Sequence, residues 1–360
     1  MNNSHFSLRF FVFTSFFLFG LIGHAQIKDS IAAGRIASMI LKLSEDIDSL
    51  SGLCSVIESD FENEIGGVTL LLKKKVFDES GNLDFEIYLD SLLKQSEMYS
   101  LRLLSIKKAI DKKELELKNA FSSFNGECLI VFRSQKVRVF AVDLDDSKID
   151  LLVNNDSKEL TSNNFSGVLK FAEKSKLKVE MITNAGMFTP KYLPEGLYLD
   201  RYKNYYPIDT GSKVEANFYL KPNGVFYIDK KDRAYVMTTA EYIDLFGLEK
   251  PELSVATQSG PMLVINSNEK SLIHSAFKEG SVNRKIRSGV GVTSNGSKRV
   301  VFAISKEPMN FYDFSLFYKD WLGCSSALFL DGAISEMYTS EADKDVLQNG
   351  FGPIICVSKK

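Results

Sequence analysis

The hydrophobic periodicity of the chain changes near Asn125-Gly126, and this change limits the possible folds more than any other sequence feature. Before that point, apolar residues recur at alternating steps of four and three, the spacing of one face of a long helix. After it, apolar residues alternate or cluster in short segments rich in β-branched side chains, which is typical of strands. The sequence therefore predicts an all-α front end followed by a region built on sheet.

The front end carries two apolar seams, one from Ile36 to Phe61 and one from Leu89 to Leu117. Gly66-Gly67 interrupts the pattern between them. We predict an antiparallel helical hairpin, coiled-coil-like, over residues 26–122. It could be a packing or spacing element, or an arm for self-association or partner docking. Because no proline separates it from the second region, we expect it to pack on that region.

The first residues resemble an export signal. Residues 10–22 form an apolar run behind Arg9, and a small-residue site ends at Ala25. A basic start, a short apolar core and such a site are typical of a secretory signal peptide, here residues 1–25. The run is short for a transmembrane helix. We expect an exported protein, periplasmic or secreted, with no stable membrane insertion after cleavage.

Composition excludes several classes of function. The formal net charge is only -2, which gives no reason to expect a nucleic-acid partner. Of three histidines, His5 and His24 lie in the leader, so the mature chain keeps only His274. A multi-histidine zinc site is therefore excluded, and we expect neither metal nor cofactor. A serine hydrolase using Ser259 and His274 is disfavoured because no GxSxG elbow occurs.

The four cysteines show no CxxC spacing, which argues against a metal site. Cys128 falls in the first predicted strand of the second region and Cys356 in the last. In an oxidising compartment these two could pair, and a bridge joining the ends of one domain is one hypothesis.

The second region, residues 125–360, is predicted to be an α+β domain. Two short apolar segments, Cys128 to Phe132 and Val137 to Val142, form a hairpin pattern, and Asn217 to Ile228 suggests another. Phe165 to Lys176 reads as a helix with Ser162 or Asn163 as its N-cap. Hairpins dominate over alternating βαβ units, so we expect a mixed, mostly antiparallel sheet with flanking helices.

Polar residues next to glycines adjoin four predicted strands of this region. The four sets are Asn184 with Gly186, Gln258-Ser259-Gly260, Arg287 with Gly289, and Asp331-Gly332 with Ser335. Each could be a simple turn. Together, however, they supply amides, hydroxyls, a carboxylate and an arginine that can clamp phosphate, which suits a sugar-phosphate ligand. The long loop from Thr189 to Ser212 adds tyrosines whose rings could stack on sugars.

The segments NAGMF, QSGPMLV, NRKIRSGVGV and FLDGAIS, in this order, resemble the phosphodiester glycosidase family over residues 125–360. The helical hairpin lies outside the resemblance. The resemblance implies a hydrolase that cleaves the bond between an anomeric carbon and phosphate in a glycoconjugate. This chain has Ala185 and Ala333 where the family often has glycine, and either alanine would be strained at positive φ.

On the basis of this resemblance we hypothesise roles for the polar candidate residues. Arg287 would hold the phosphate and stabilise its developing charge, and Asp331 would act as base or nucleophile at the sugar. Asn184, Gln258 and Ser259 would orient hydroxyls, with Ser335 acting through its neighbours. Two other functions stay open: a non-catalytic module that binds a glycan or envelope polymer, and a scaffold whose working part is the hairpin.

Overall fold

The computed structural model describes residues 31–63, 82–153, 160, 162–201, 204–211, 217–267, 277–332 and 334–360, with the backbone alone at 82–92 and 341. The predicted signal peptide, the Gly66-Gly67 break, His274 and Ala333 lie outside the described residues. None of the helices in the described ranges is long and apolar enough to cross a membrane.

The described α-helices are α1 (31–63), α2 (Asn82–Ser122), α3 (Phe165–Lys174), α4 (Thr239–Phe246) and α5 (Phe311–Leu316), which continues as a π-helical turn, Phe317–Trp321. The strands are β1 (Gly126–Phe132), β2 (Gln135–Asp143), β3 (Ser147–Leu152), β4 (Val179–Asn184), β5 (Tyr198–Leu199), β6 (Tyr205–Tyr206), β7 (Gly224–Ile228), β8 (Ala234–Thr238), β9 (Val255–Ser259), β10 (Met262–Val264), β11 (Ser288–Val292), β12 (Arg299–Ser305), β13 (Ser326–Asp331), β14 (Met337–Tyr338) and β15 (Ile354–Lys359).

These strands form three sheets. The first has the order β1-β2-β12-β11-β13-β10, the second β14-β4-β15-β3, and the third β6-β5-β9-β7-β8. All their strand pairs in the described residues are antiparallel. The predicted α+β class with mostly antiparallel sheet and a preceding helical hairpin is therefore confirmed.

Alternation of side chains places the first sheet between two cores. Val137 and Val139 of β2 face a core shared with α1, α2 and α5, whereas Phe140 and Val142 face a core shared with the second and third sheets. Further apolar clusters join α3 to the second sheet and α4 to the third. The result is four layers. The helices α1, α2 and α5 cover one face of the first sheet, the second and third sheets together cover its other face, and α3 and α4 form the outer layer.

The hairpin packs on the first sheet, as expected. Its predicted seam includes Ile40 and Ile47, which are buried against this sheet. The buried Ser44 accepts a hydrogen bond from the β1 amide of Val131, 3.0 Å away. At the end of α2, Arg299 of β12 donates to the carbonyls of Phe121 and Phe124 at 2.6 and 2.7 Å. These bonds satisfy polar groups that the helix end leaves open.

Three local predictions are wrong. All four cysteines are free, and Cys128 and Cys356 lie in different sheets and different apolar clusters, so the proposed bridge does not form. The N-cap of α3 is Asn164, whose side chain accepts from the amide of Gly167. Residues Asn217–Tyr219 form a 3₁₀ turn, so β7 pairs instead with the following β8.

Candidate functional site

The four predicted polar stretches meet where one end of the first sheet faces the junction of the second and third sheets. Asn184 is the last residue of β4, and Ser259 ends β9. Arg287 immediately precedes β11, and Asp331 ends the neighbouring β13. Because β11 and β13 are paired with Ser288 opposite Asp331, the ends of these strands fall together.

Ser288 is the centre of the hydrogen bonds that join these stretches. Its hydroxyl oxygen accepts from the side-chain amide of Asn184 at 2.9 Å and from the backbone amide of Asp331 at 3.3 Å. Ser335 Oγ lies 2.9 Å from Ser288 Oγ and 2.7 Å from the carbonyl oxygen of Asp331. The backbone of Asp331 is therefore fixed by two hydroxyl groups.

Three further contacts complete this arrangement. Ser259 donates its hydroxyl to the carbonyl of Leu330 at 2.9 Å, which ties the third sheet to the end of β13. The side-chain carbonyl of Asn184 accepts from the amide of Glu336 at 3.3 Å. The carboxylate of Asp331 accepts from the amide of Gly332 at 2.5 Å. Asn184, Ser259 and Ser335 thus all act on the segment that carries Asp331.

Arg287 is a buried cation, with 1% of its surface exposed. Its guanidinium carbon lies 3.7 Å from the ring centre of Phe311, and it donates Nε to the carbonyl of Met309 at 3.0 Å and Nη2 to that of Asn283 at 3.1 Å. Burial lowers the pKa of Arg287 to about 10. The contacts that fix it are neutral groups, so its positive charge is available to an anion.

The free edge of Arg287 points toward the strand end that carries Asp331. A Cβ placed on Gly332 would lie 3.8 Å from Arg287 Nη1 and 3.2 Å from the carbonyl of Ile286. No acceptor for Nη1 occurs among the side chains and carbonyls that the structure describes. The absence of a side chain at Gly332 keeps this approach open.

Gln258 is fully occupied by protein partners. Its side-chain oxygen accepts from the amides of Leu197 and Asp209, both at 2.9 Å. Its nitrogen donates to the carbonyl of Asp209 at 2.8 Å and to Thr239 Oγ1 at 3.2 Å. This amide therefore holds the loop before and after β5 and β6 in place, and its predicted contact with sugar hydroxyls stays untested.

The glycines of the site stand at close approaches. A Cβ on Gly186 would lie 2.3 Å from the carbonyl oxygen of Gln258, so only glycine lets the end of β4 pass so close to β9. A Cβ on Gly260 would lie 2.6 Å from that of Asn223, and one on Gly289 would lie 3.1 Å from the ring of Tyr318. Gly289 thus makes room for the packing of Tyr318.

Ala185 is accommodated where a glycine was expected. It is fully buried in the core between the sheets, its amide donates to the carbonyl of Pro353 at 2.9 Å, and its φ is not positive. The strain that positive φ would bring does not arise at this position.

The tyrosines of the loop 189–212 differ in their exposure. Tyr198 is buried and bonds to Asp200, so its ring belongs to the core. Tyr192 is 41% exposed and stacks on Phe188 with 5.8 Å between ring centres. Tyr192 is therefore the most exposed tyrosine in the described part of the loop.

Three residues of the site were not predicted. Ser288 lies between Arg287 and Gly289, which were both predicted as site residues. Its position between them was the sequence feature that could have identified it. Phe311 supports Arg287 from a distant helix, so nothing local marks it. Glu336 is half-buried, its Oε1 accepts from Asn349 at 2.6 Å, and its Oε2 is buried without a hydrogen-bond partner in the described residues. Burial raises the pKa of Glu336, partly offset by Asn349.

Comparison with known proteins places this site in context. A family model described as phosphodiester glycosidase matches residues 177–352, a range that contains every candidate site residue. The protein YigE of Escherichia coli (strain K12) is 35% identical over 186 residues, which cover 52% of this chain and 68% of that protein.

Two solved structures are similar at 13% sequence identity. One is the catalytic domain of zebrafish N-acetylglucosamine-1-phosphodiester alpha-N-acetylglucosaminidase, auto-inhibited by its pro-peptide, with a TM-score of 0.43 over 65% of this chain and 82% of that one. The other is a hypothetical protein from Synechocystis, with a TM-score of 0.40 over 65% of this chain and 61% of that one.

Proposed function

This chain belongs to the phosphodiester glycosidase family, and on that premise we propose that it is an exported hydrolase of glycosyl phosphodiesters. The bond cleaved joins the anomeric carbon of a sugar to a phosphate oxygen. The substrate is an envelope or extracellular glycoconjugate. The apolar run of residues 10–22 and the small-residue site at Ala25 support export.

The single observation that carries the proposal is the environment of Arg287. The guanidinium of Arg287 is buried, held by neutral carbonyls and stacked on an aromatic ring. Because its charge is desolvated without a carboxylate partner, it destabilises the fold of the free protein. Such a group becomes favourable when a phosphate binds at its open edge. That edge faces the segment of Asp331, where the sugar would then lie.

The chemistry needs little acid catalysis, because a phosphomonoester is already a good leaving group. The bond between the anomeric carbon and the phosphate oxygen breaks, and its electron pair stays on the phosphate that Arg287 stabilises. Asp331 has two routes. As a base it takes a proton from a water that adds to the anomeric carbon; as a nucleophile it forms a glycosyl ester that water then hydrolyses.

Asn184, Ser259, Ser288 and Ser335 act through the position of Asp331 in this proposal. Their hydrogen bonds are made within the protein, so they fix the carboxylate more directly than they could contact a sugar. Rigid placement of this kind is what lets a single carboxylate work efficiently.

The first test is hydrolysis of N-acetylglucosamine and glucose phosphodiesters by the purified mature protein, with free sugar measured by chromatography. We expect release by the wild type and a loss of about a hundredfold or more in Asp331→Asn, the usual range for removing such a group. Asp244→Asn, an exposed carboxylate on α4, is the matched control and should keep full activity.

Full turnover in both Asp331→Asn and Arg287→Lys would contradict the assigned roles. Sugar binding without product, in wild type and Asp331→Asn alike, would favour the binding module instead. Inversion or retention at the anomeric carbon of the product then separates the two routes of Asp331.

A further inference from the structure

The loop 278–286, which leads into Arg287, is strongly basic. Lys278, Arg284 and Lys285 are exposed, and Glu279 is the one acidic residue between Lys278 and Arg287. The chain as a whole is slightly acidic, at -2. Positive charge is therefore concentrated next to the candidate phosphate clamp.

The loop is fixed relative to that clamp by three contacts. Arg287 Nη2 donates to the carbonyl of Asn283 at 3.1 Å. Lys285 and Met309 exchange two backbone hydrogen bonds of 3.2 and 2.8 Å. The side-chain amide of Asn310 donates to the carbonyl of Ser281 at 3.4 Å. The side chains of the loop thus project from a constrained backbone.

Two more lysines extend the positive surface across the adjoining strands. The amide of Lys306 donates to the carbonyl of Lys136 at 2.8 Å, and both side chains are exposed. Glu307 is an acidic residue beside these lysines. Its carboxylate accepts a hydrogen bond from the backbone amide of Lys136 at 2.7 Å. Together Lys136, Lys278, Arg284, Lys285 and Lys306 form what we term the basic surface.

Arg284 lies three positions before the clamp residue Arg287, and its charge is only weakly compensated. Its Nη2 lies 3.8 Å from the carboxylate of Asp313, which is held more closely by Arg133 at 2.6 Å. The side chain of Arg284 is 45% exposed. It can therefore turn to an anion without leaving Asp313 unpaired.

We propose that the basic surface binds a second phosphate, so that the preferred substrate is a chain of sugars joined by phosphodiesters. This inference rests on the proposed function. Arg287 follows Arg284 by three residue steps, which span at most about 10 Å. That is comparable to the length of one sugar with its phosphate, so neighbouring phosphates of one chain could reach both arginines.

The test compares two synthetic substrates: a methyl phosphodiester of one sugar, and a trimer of the same sugar linked by phosphodiesters. We expect the wild type to prefer the trimer in kcat/KM, and Arg284→Gln/Lys285→Gln to lower the ratio of trimer to single diester about fivefold or more. The basic surface lies at the last residue of β12, where Lys306 follows Ser305. The control Lys230→Gln/Lys231→Gln removes the same charge from an exposed turn near the start of β12 and should leave the ratio unchanged.

An unchanged ratio in Arg284→Gln/Lys285→Gln would overturn the proposal. A similar loss in Lys230→Gln/Lys231→Gln would also overturn it, because the effect would then be one of total charge. Raising the salt concentration should reduce the trimer preference, since exposed charges are screened.

Direct binding separates this inference from the proposed hydrolysis. If wild type cleaves neither substrate, hydrolysis is wrong, and fluorescence anisotropy of a labelled trimer still tests the surface. Weaker trimer binding in Arg284→Gln/Lys285→Gln, with dextran sulfate binding unchanged, supports a phosphate site. Equal loss for both polymers would instead mean general attraction to polyanions and would contradict it.

Discussion

Ser288 is the side chain through which Asn184 reaches the backbone of Asp331. Asn184 is 1% exposed and Ser288 2% exposed, so neither can replace a lost partner with bulk water. A buried donor without an acceptor carries the full cost of its desolvation. The serine is therefore needed both for stability and for the placement of the carboxylate.

We predict that Ser288→Ala lowers the free energy of unfolding by about 1–3 kcal/mol, because the side-chain amide of Asn184 loses its acceptor at 2.9 Å and keeps only the carbonyl of Ala185 at 3.4 Å. If the proposed function holds, activity falls as well, with kcat affected more than KM. Urea unfolding and steady-state kinetics measure the two effects.

Ser358→Ala is the matched control. Ser358 is also fully buried in a strand, but its hydroxyl has no hydrogen-bond partner in the described residues. This variant should be neutral or slightly stabilising. Equal destabilisation by both variants would show that loss of volume, not of the hydrogen bond, explains the effect at Ser288.

The Glu336 side chain, unlike Ser288, works against the stability of the fold when it is ionised. Burial raises its pKa above 4.5, so ionisation is harder in the folded than in the unfolded chain. The stability that the neutral carboxyl of Glu336 provides is fully present below pH 4.5. It is lost as the pH rises through the pKa of Glu336 in the folded protein. At neutral pH the ionised Glu336, which lies beside the candidate site, therefore lowers the free energy of unfolding.

We predict that Glu336→Gln raises the free energy of unfolding at pH 7, on the order of 1 kcal/mol, while keeping an acceptor for Asn349. The gain should shrink as the pH falls toward 4.5, because the wild-type carboxyl is then neutral too. Urea titrations at several pH values test this. A gain that is independent of pH would rule out the carboxylate charge as its cause.

The helical hairpin belongs to the core rather than standing apart from it. Ile40 and Ile47 of α1 and Leu117 and Phe121 of α2 pack with residues of β1, β2 and α5 in one apolar cluster. The same helices also carry exposed apolar residues, among them Leu53 and Val56. Burial, not helix propensity, should therefore decide which substitutions in the hairpin are costly.

We predict that Ile47→Ala destabilises the whole protein by about 2–5 kcal/mol, as truncation of a buried aliphatic side chain in a packed core does. Leu53→Ala, on the same helix but 39% exposed, should cost much less. One unfolding transition, seen by both circular dichroism and tryptophan fluorescence, is expected for each variant. Two separate transitions would show that the hairpin unfolds independently.

The layers of the molecule are joined by an ionic network around Arg138 of β2. Arg138 donates to Asp343 at 2.9 and 2.5 Å, to Thr339 at 2.6 Å, and also pairs with Glu127 of β1. It further donates to the carbonyl of Met337 in β14 at 2.9 Å. One side chain of the first sheet thus holds the edge of the second.

Burial by itself would raise the pKa of Asp343, but hydrogen bonds from Arg138 and Thr339 outweigh it and hold that pKa below 3.8. The stability that this carboxylate adds is present above pH 3.8 and is lost as the pH falls through its folded pKa. We predict that Asp343→Asn lowers stability at pH 6 and flattens the loss between pH 6 and 3, measured by urea unfolding.

Asp343 and Asp345 both lie in a 3₁₀ helix, Glu341–Val346. Asp345→Asn removes an exposed carboxylate from this helix, so it is the control and should leave the acid dependence unchanged. An unchanged pH profile in Asp343→Asn would mean that other carboxylates govern the response to acid.

The sequence alone determined the features whose signal is local. Steps of four and three predicted the hairpin seam, because side-chain direction follows directly from helix geometry. Alternating or apolar segments predicted β1 and β2, and short apolar runs predicted β4 and β13. The same local signals located polar residues at strand ends. The resemblance to a family came from four such segments in order, and the family match confirmed it.

Tertiary structure alone decided how those segments meet. Pairing of β11 with β13 and packing of three sheets brought together Asn184, Ser259, Arg287 and Asp331, which are far apart in the chain. It also made Ser288 the central acceptor, turned Gln258 to the loop and kept Cys128 away from Cys356. These outcomes depend on which distant surfaces bury one another, and no local periodicity specifies that choice.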